Sequence, residues 1–288
     1  MRLWLADARR RHLFARAVVA MLLLTVVAVP VGAVLSGWRA HSMTTPSMGR
    51  KAPVGALVIT RPVAADDLRV GDVIAFHPPG RSGTTFVHRV VQISRGPQGV
   101  TLSTRGDING AQDSWQVAGQ NLVGRVAFAI PDGGYALQML PFLVLGAFVV
   151  VLVTSGLRRS RRGPARILLA SLLASGLIIW FQPLARLVLI AQVRSGSHTT
   201  AAVVPTGALP LRVRASGGTH ADLAPGQVGT LAAKHVSPQG GFRVVAGVHL
   251  TGWWWLLSLT WLLPLAAAIR YSTPHPEPPE AARCFSTK

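Results

Sequence analysis

The chain has 288 residues, half of them hydrophobic and only 14% charged, with a formal charge of +19 that comes mostly from arginine. A soluble domain of average composition has about 25% charged residues, so these values exclude an ordinary soluble protein and predict membrane spans. The densest arginine runs, at 9–11 and 158–162, border apolar segments. This placement is typical of membrane topology signals and excludes nucleic acid as a partner. Cys284 is the only cysteine, which excludes a disulfide framework and a cysteine-based zinc site.

The first elements predict a cytoplasmic tail and a membrane anchor. Residues 1–16 are basic and are expected to stay in the cytoplasm, and residues 17–38 run without a charge. At about 1.5 Å per residue, such a helix crosses a hydrocarbon core of about 30 Å. A cleavable signal peptide is the alternative, because Val31-Gly32-Ala33 suits a cleavage site. The apolar run is longer than the usual core of about 7–15 residues, which favours an uncleaved transmembrane helix.

Residues 39–134 predict a small all-β domain on the extracytoplasmic side. Segments rich in Val, Ile, Phe and Thr alternate with Gly, Pro and Asp, the pattern of short strands joined by turns. The predicted strands cover residues 54–60, 72–77, 84–94, 99–104 and 121–130.

The rest of the chain predicts three more spans and a second extracytoplasmic segment. Residues 136–157 should run inward, because the Arg-rich cytoplasmic loop 158–166 follows them. Residues 194–249 contain short alternating runs that predict a few strands, without a motif of known chemistry. The other segments are spans at 167–193 and 250–269 and a disordered cytoplasmic tail at 270–288. The predicted fold is a mainly-β, multi-pass protein of the cell membrane with about four transmembrane helices.

A serine, a histidine and two aspartates follow one another in the first β domain, at Ser47, His88, Asp107 and Asp113. A hydroxyl nucleophile needs a base to take its proton, and that base needs a partner to fix its tautomer. The order of these residues is by itself weak evidence for a catalytic site, since many chains contain it by chance. Alternation along the strand around His88 puts Phe86, His88 and Val90 on one face.

The surrounding motifs make the pattern more specific. They are Ser-Met at 47–48, Gly-Asp-Val-Ile-Ala-Phe at 71–76, His-Arg-Val-Val at 88–91 and Gly-Asp-Ile-Asn at 106–109. Over residues 38–134, the chain resembles type I signal peptidases, in the branch that uses histidine as base and occurs in archaea, the endoplasmic reticulum and some Gram-positive bacteria. No lysine occurs between Lys51 and Lys234, which excludes the branch that uses lysine.

The resemblance implies a role for each of these residues. Ser47 would be the nucleophile, and His88 the general base that later protonates the leaving amine. Asp113 would orient His88, with Asp107 as a supporting residue or the alternative acid. The Thr45 hydroxyl and the Ser47 backbone N–H would form the oxyanion hole. Neutral imidazole is the active form, so activity should fall as the histidine becomes protonated, and no metal or cofactor is implied.

The function implied by the resemblance is the removal of signal peptides from exported preproteins, with small residues before the cut. The implied partners are these preproteins, the lipid bilayer and, as a further candidate, the secretion translocon. Gly49-Arg50 departs from the family pattern, which has a proline shortly after Ser-Met. The departure leaves two alternatives: a catalytically weak relative that binds or scaffolds exported proteins, and a processing peptidase dedicated to few substrates.

Overall fold

The computed structural model describes residues 28–81, 83–195, 198–216, 218–233, 243–250, 252 and 262–272, with seven further residues between 14 and 25. The chain divides into two compact units, Met1–Gly134 and Tyr135–Lys288. The described part is mainly β, as predicted, and it also contains two long apolar helices. Residues 28–35 are helical and are called α1; the chain leaves this helix before Trp38.

One seven-stranded antiparallel sheet organises the first unit. Its strands follow in the order β1-β2-β7-β3-β4-β5-β6, so only β7 is inserted out of sequence. Each neighbouring pair is antiparallel. The strands are β1 (Arg39–Ser42), β2 (Leu57–Arg61), β3 (Val73–Phe76), β4 (Phe86–Gly96), β5 (Gly99–Arg105), β6 (Gln116–Ala118) and β7 (Leu122–Ile130).

Two hydrophobic clusters fill this unit, and neighbouring residues of β4 contribute to different ones. Val87 packs in a cluster with Met43, Met48 and Val58. Phe86 packs against the other cluster, which includes Val90. This is the alternation expected of a strand that is covered on both sides. The five predicted strands are present, with ends shifted by up to three residues; β1 and β6, four and three residues long, were missed.

Two helices, α2 (Gly133–Ser155) and α3 (Arg159–Phe181), form an antiparallel hairpin in the second unit. The rings of Phe142 and Phe181 lie 5.3 Å apart at one end, and Arg166 donates a hydrogen bond to Thr154 at the other. Within the described residues, these are the two helices long and apolar enough to cross a membrane. The prediction of a loop at residues 158–166 is wrong, because α3 begins at Arg159.

The second β region contains two three-stranded antiparallel sheets, with strand orders β11-β10-β13 and β12-β9-β8. Alternating small and branched side chains form its core, as on β10, where Leu211, Val213 and Ala215 are buried. The β character of the segment 194–249 was therefore predicted correctly. The strands are β8 (Leu187–Ser195), β9 (His198–Pro205), β10 (Leu211–Ala215), β11 (His220–Leu223), β12 (Gly229–Ala233) and β13 (Val244–Val248).

The predicted helix at 167–193 is wrong at both ends. The helix ends at Phe181, because Gln182 adopts an extended conformation and Pro183 follows it. The apolar run from Leu187 onwards pairs with β9 instead of continuing the helix. Periodicity cannot separate a short apolar strand from a buried helix, which is the reason for this error.

The C-terminal predictions are only partly covered by the structure. Helix α4 (Leu263–Ser272) overlaps the predicted span 250–269 and continues into the predicted tail, so the tail prediction is wrong for residues 270–272. Residues 1–13, 253–261 and 273–288 lie outside the described residues. The cytoplasmic N-terminus and the remainder of the tail therefore stay predictions.

Candidate active site

Ser47 lies in the connection between β1 and β2, on a tight turn. The Gly49 backbone N–H donates to the Pro46 carbonyl at 2.8 Å, and a short 3-10 helix, Gly49–Lys51, follows. Gly49 has a φ of 57°. This is the left-handed region, which glycine enters without the steric cost that other residues meet. Met48 is buried in the core, which anchors the turn directly after the serine.

His88 brings an imidazole from β4 to this turn. Its Nε2 lies 3.1 Å from the Ser47 Oγ. The ring packs edge-on against Phe76 and Phe86, with centroid distances of 6.3 and 5.9 Å, and only 4% of the residue is exposed. Two aromatic neighbours therefore restrict the rotation of the imidazole in a site largely closed to water.

Asp113 lies on the other side of the imidazole, in the connection between β5 and β6. Its Oδ2 is 2.6 Å from His88 Nδ1. An ionised carboxylate only accepts, so Nδ1 carries the proton and Nε2 is left to accept from the serine hydroxyl. The same Oδ2 accepts a hydrogen bond of 2.6 Å from the Thr104 hydroxyl, and the Asp113 N–H donates to the Thr104 carbonyl. Thr104 therefore fixes Asp113 through both its side chain and its backbone.

Asp107 binds the next residue of β4 instead of the histidine. Its two carboxylate oxygens accept hydrogen bonds of 2.7 Å from Arg89 Nε and Nη2, and Lys51 lies 3.7 Å away. Arg89 also donates to the Gly71 carbonyl at 2.6 Å. Burial alone would raise the pKa of the Asp107 carboxyl, but Arg89 and Lys51 hold it below its ordinary value. Asp107 thus links the turn that carries Ser47, through Lys51, with β4, through Arg89.

The turn that contains Asp107 also supports the backbone of Ser47. The Ile108 N–H donates to the Ser47 carbonyl at 3.1 Å. A Cβ at position 106 would lie 2.9 Å from this same carbonyl oxygen and 2.7 Å from Asn109 Nδ2, so only glycine fits there without displacement. The Gly-Asp-Ile-Asn sequence at 106–109 therefore acts through close backbone approach as well as through its carboxylate.

Two donors lie where an oxyanion could form beside Ser47. The Thr45 hydroxyl is 3.4 Å from the Ser47 Oγ. Within the described part of the chain, the Ser47 backbone N–H donates to no acceptor. A donor without an intramolecular acceptor next to a nucleophile can bind the negative oxygen of a tetrahedral intermediate.

A small cleft of about 70 Å³ opens beside Ser47. It lies between the segment from β1 to Ser47 and the start of β4, and its walls are formed by residues 41–45, 47 and 84–87. His41 belongs to this wall, and its pKa is lowered by burial and by the nearby His77 and Arg39.

The structure thus brings Ser47, His88, Asp113 and Thr45 together. Asp107 is hydrogen-bonded to Arg89 and not to His88. Thr104 was missed in the sequence, where a threonine at a strand end carries no distinctive signal. No protein-family model matches the chain, and no curated protein is similar to it in sequence. The chemistry of the site must therefore be inferred from its own geometry.

Proposed function

We propose that the chain is a membrane-bound serine endopeptidase that removes signal peptides from exported preproteins. The observation that carries this proposal is the hydrogen-bonded series Ser47–His88–Asp113, with distances of 3.1 and 2.6 Å, at the edge of a cleft. Such a series is the arrangement that activates a serine hydroxyl in hydrolases of unrelated folds.

The residues divide the chemistry among them. His88 takes the proton of the Ser47 hydroxyl as the oxygen attacks the substrate carbonyl, while Asp113 stabilises the imidazolium that forms. The Ser47 N–H and the Thr45 hydroxyl stabilise the oxyanion. His88 then gives its proton to the leaving amine, and water hydrolyses the acyl ester on Ser47 by the same route in reverse.

Apolar helical segments that precede and follow the sheet in sequence support a membrane location. Helix α2 exposes large apolar side chains, as at Leu145, Phe148 and Val153, each more than 60% exposed. Exposure of such an apolar surface to water is unfavourable in free energy, whereas its exposure to lipid is not. Five arginines in and after the α2–α3 connection favour a cytoplasmic hairpin end. The peptidase sheet then lies on the extracytoplasmic side, where exported preproteins emerge.

The decisive experiment uses the full chain purified in detergent, the Ser47→Ala variant and a preprotein with a small residue before its cleavage site. Wild type should release the signal peptide and should react with a fluorophosphonate that labels activated serines. Ser47→Ala should do neither. His88→Gln should keep the fold but lose labelling, because the hydroxyl is no longer activated.

Cleavage that persists in Ser47→Ala would contradict the proposal, and so would wild-type protein that is folded but unreactive towards the probe. The second outcome would favour the catalytically weak scaffold as the alternative. Comparison of several preproteins separates a general peptidase from a dedicated one.

A further inference from the structure

A second cavity in the first unit begins at the residue that follows the nucleophile. It is a groove of about 560 Å³, within the range of small-molecule sites, which is about 300–1,000 Å³. Its floor is apolar and belongs largely to the hydrophobic core, and the charged side chains stand at its rim. The floor includes Met48, Ala52, Val58, Val73, Val87 and Val126.

Two arginines face each other across neighbouring strands in this groove. Arg61 on β2 is paired directly with Arg125 on β7, and both side chains line the cavity. Like charges in directly opposed positions repel. The single carboxylate of Asp72 lies 3.4 Å from Arg125 Nη1. Within the described residues, the Arg61 side chain has no hydrogen-bond or ion-pair partner, so the groove carries excess positive charge that an anion would neutralise.

The groove lies close in sequence to both points where the sheet joins an apolar helix. Trp38, which lines it, comes three residues after the last helical residue of α1. Ala129, which also lines it, precedes the start of α2 at Gly133 by four residues. Four extended residues reach at most about 14 Å. If the helices cross the bilayer, the groove opens near the headgroups, where tryptophan is also preferred.

We propose that this groove binds one anionic phospholipid. The headgroup phosphate would accept hydrogen bonds from the Arg61 and Arg125 guanidinium groups, whose planar forks match phosphate geometry. The first methylene groups of an acyl chain would cover the apolar floor. The proposal rests on the membrane location proposed above but not on peptidase chemistry. The bound lipid would contact Met48, and would therefore steady the turn that presents Ser47.

The test uses the full Ser47→Ala chain in neutral detergent, so that no proteolysis can complicate the measurement. Dioctanoyl phosphatidylglycerol is titrated and the retained lipid is counted by native mass spectrometry, with dioctanoyl phosphatidylcholine as the comparison. We expect one phosphatidylglycerol to bind saturably, at least ten-fold more tightly than phosphatidylcholine. Arg61→Gln/Arg125→Gln should weaken this binding at least ten-fold, whereas Arg81→Gln/Arg95→Gln, with the same charge loss elsewhere, should not.

A further variant keeps both arginines, in case their loss disturbs the sheet. Ala127 is exposed and lines the groove, so Ala127→Glu adds a carboxylate beside the guanidiniums without filling the core. It should reduce phosphatidylglycerol binding as strongly as the double variant. Thermal unfolding of each variant shows whether it is folded.

Three results would overturn the proposal. One is equal binding of the two lipids, and another is unchanged binding in folded Arg61→Gln/Arg125→Gln and Ala127→Glu. The third is displacement of the lipid by glycerol phosphate or by an oligoglutamate peptide at equal concentration, which would indicate a site for free anions or acidic proteins. Failure of the peptidase proposal would appear separately, in the cleavage assay.

Discussion

His88 and Arg89 are adjacent on β4, yet each binds a different aspartate. The His88 Nδ1 lies 2.6 Å from Asp113, and the Arg89 guanidinium binds both oxygens of Asp107 at 2.7 Å. Neighbouring residues of a strand point to opposite faces, so one carboxylate cannot serve both. Because of this division, the two aspartates should produce different effects when they are substituted.

Asp113→Asn should inactivate the proposed peptidase while leaving the chain folded. An asparagine amide can donate to Nδ1, which would leave the imidazole in the tautomer that cannot accept the serine proton. The expected loss in kcat is about 10⁴-fold, the size of the effect known for this substitution in a Ser-His-Asp triad. Steady-state cleavage of a preprotein measures it.

Asp107→Asn serves as the comparison for this prediction and should reduce kcat by a smaller factor, through the positions of Arg89 and Lys51. Thr104→Val removes one of the two donors to Asp113 Oδ2 and should also cost less than Asp113→Asn. A loss for Asp107→Asn equal to that for Asp113→Asn would contradict the assignment of the two roles.

Asp107 should instead contribute to stability in a pH-dependent way. Its pKa in the folded chain lies below the ordinary value of 3.8, so the unfolded chain binds the proton at a higher pH than the folded one. The contribution is complete above the unfolded-state pKa and is lost as the pH falls through the folded-state pKa. Asp107→Asn should therefore lower the free energy of unfolding by about 1–2 kcal/mol at pH 7, for a partly exposed bidentate pair.

The measurement is denaturant unfolding of the full chain in detergent between pH 7 and pH 3. The difference between wild type and Asp107→Asn should narrow below pH 4. Asp66→Asn, which removes a carboxylate that forms no ion pair within the described residues, should show no such trend. If the difference in unfolding free energy between wild type and Asp107→Asn did not change with pH, the ion pair with Arg89 could not be its source.

Much of the first unit could be predicted from local sequence, because its strands are bounded by turn residues and the central ones, β3 and the start of β4, are covered on both sides. β4 illustrates this, since Phe86, His88 and Val90 alternate with residues of the opposite face. The hydrogen-bond partners of the aspartates could not be predicted in the same way. They depend on how the chain after β5 folds back, and Thr104 enters the site only through that reversal.

The second unit shows where the apolar pattern is insufficient. Leu187-Val188-Leu189-Ile190 has no period that separates strand from helix, and its structure is decided by pairing with β9. Pro183 and the extended Gln182 end α3 before this run begins. The apolar content of this run therefore predicted the end of a transmembrane helix where the structure has the strand β8.

Thr45 should affect the rate of the proposed reaction more than substrate binding. Its hydroxyl lies 3.4 Å from the Ser47 Oγ and would donate to an oxyanion that exists only after attack. Removal of one oxyanion donor elsewhere costs about 10²–10³-fold in kcat. Thr45→Val keeps the shape without the donor and should reduce kcat by about this factor with little change in KM. Thr45→Ser keeps the hydroxyl and should restore most of the rate.

A large rise in KM for Thr45→Val, with kcat unchanged, would indicate that Thr45 contacts the substrate in its ground state instead. Labelling by the fluorophosphonate gives an independent measurement, because the rate of that reaction also depends on stabilisation of a negative oxygen.

Substitution of Gly49 tests whether Gly49-Arg50, which stands where type I signal peptidases have a proline, weakens the turn that presents Ser47 or forms part of it. Its φ of 57° is accessible to glycine without strain, and its N–H closes the turn onto Pro46. Gly49→Ala should therefore lower the free energy of unfolding by about 1–2 kcal/mol, the cost of a side chain in the left-handed region. It should also slow cleavage, since the same turn presents Ser47.

Gly110→Ala is the matched control: a Cβ at position 110 meets open space and no left-handed φ. The comparison requires unfolding and preprotein cleavage to be measured on the same preparations. If Gly49→Ala retained wild-type stability and cleavage rate, the turn that presents Ser47 would not depend on its glycine.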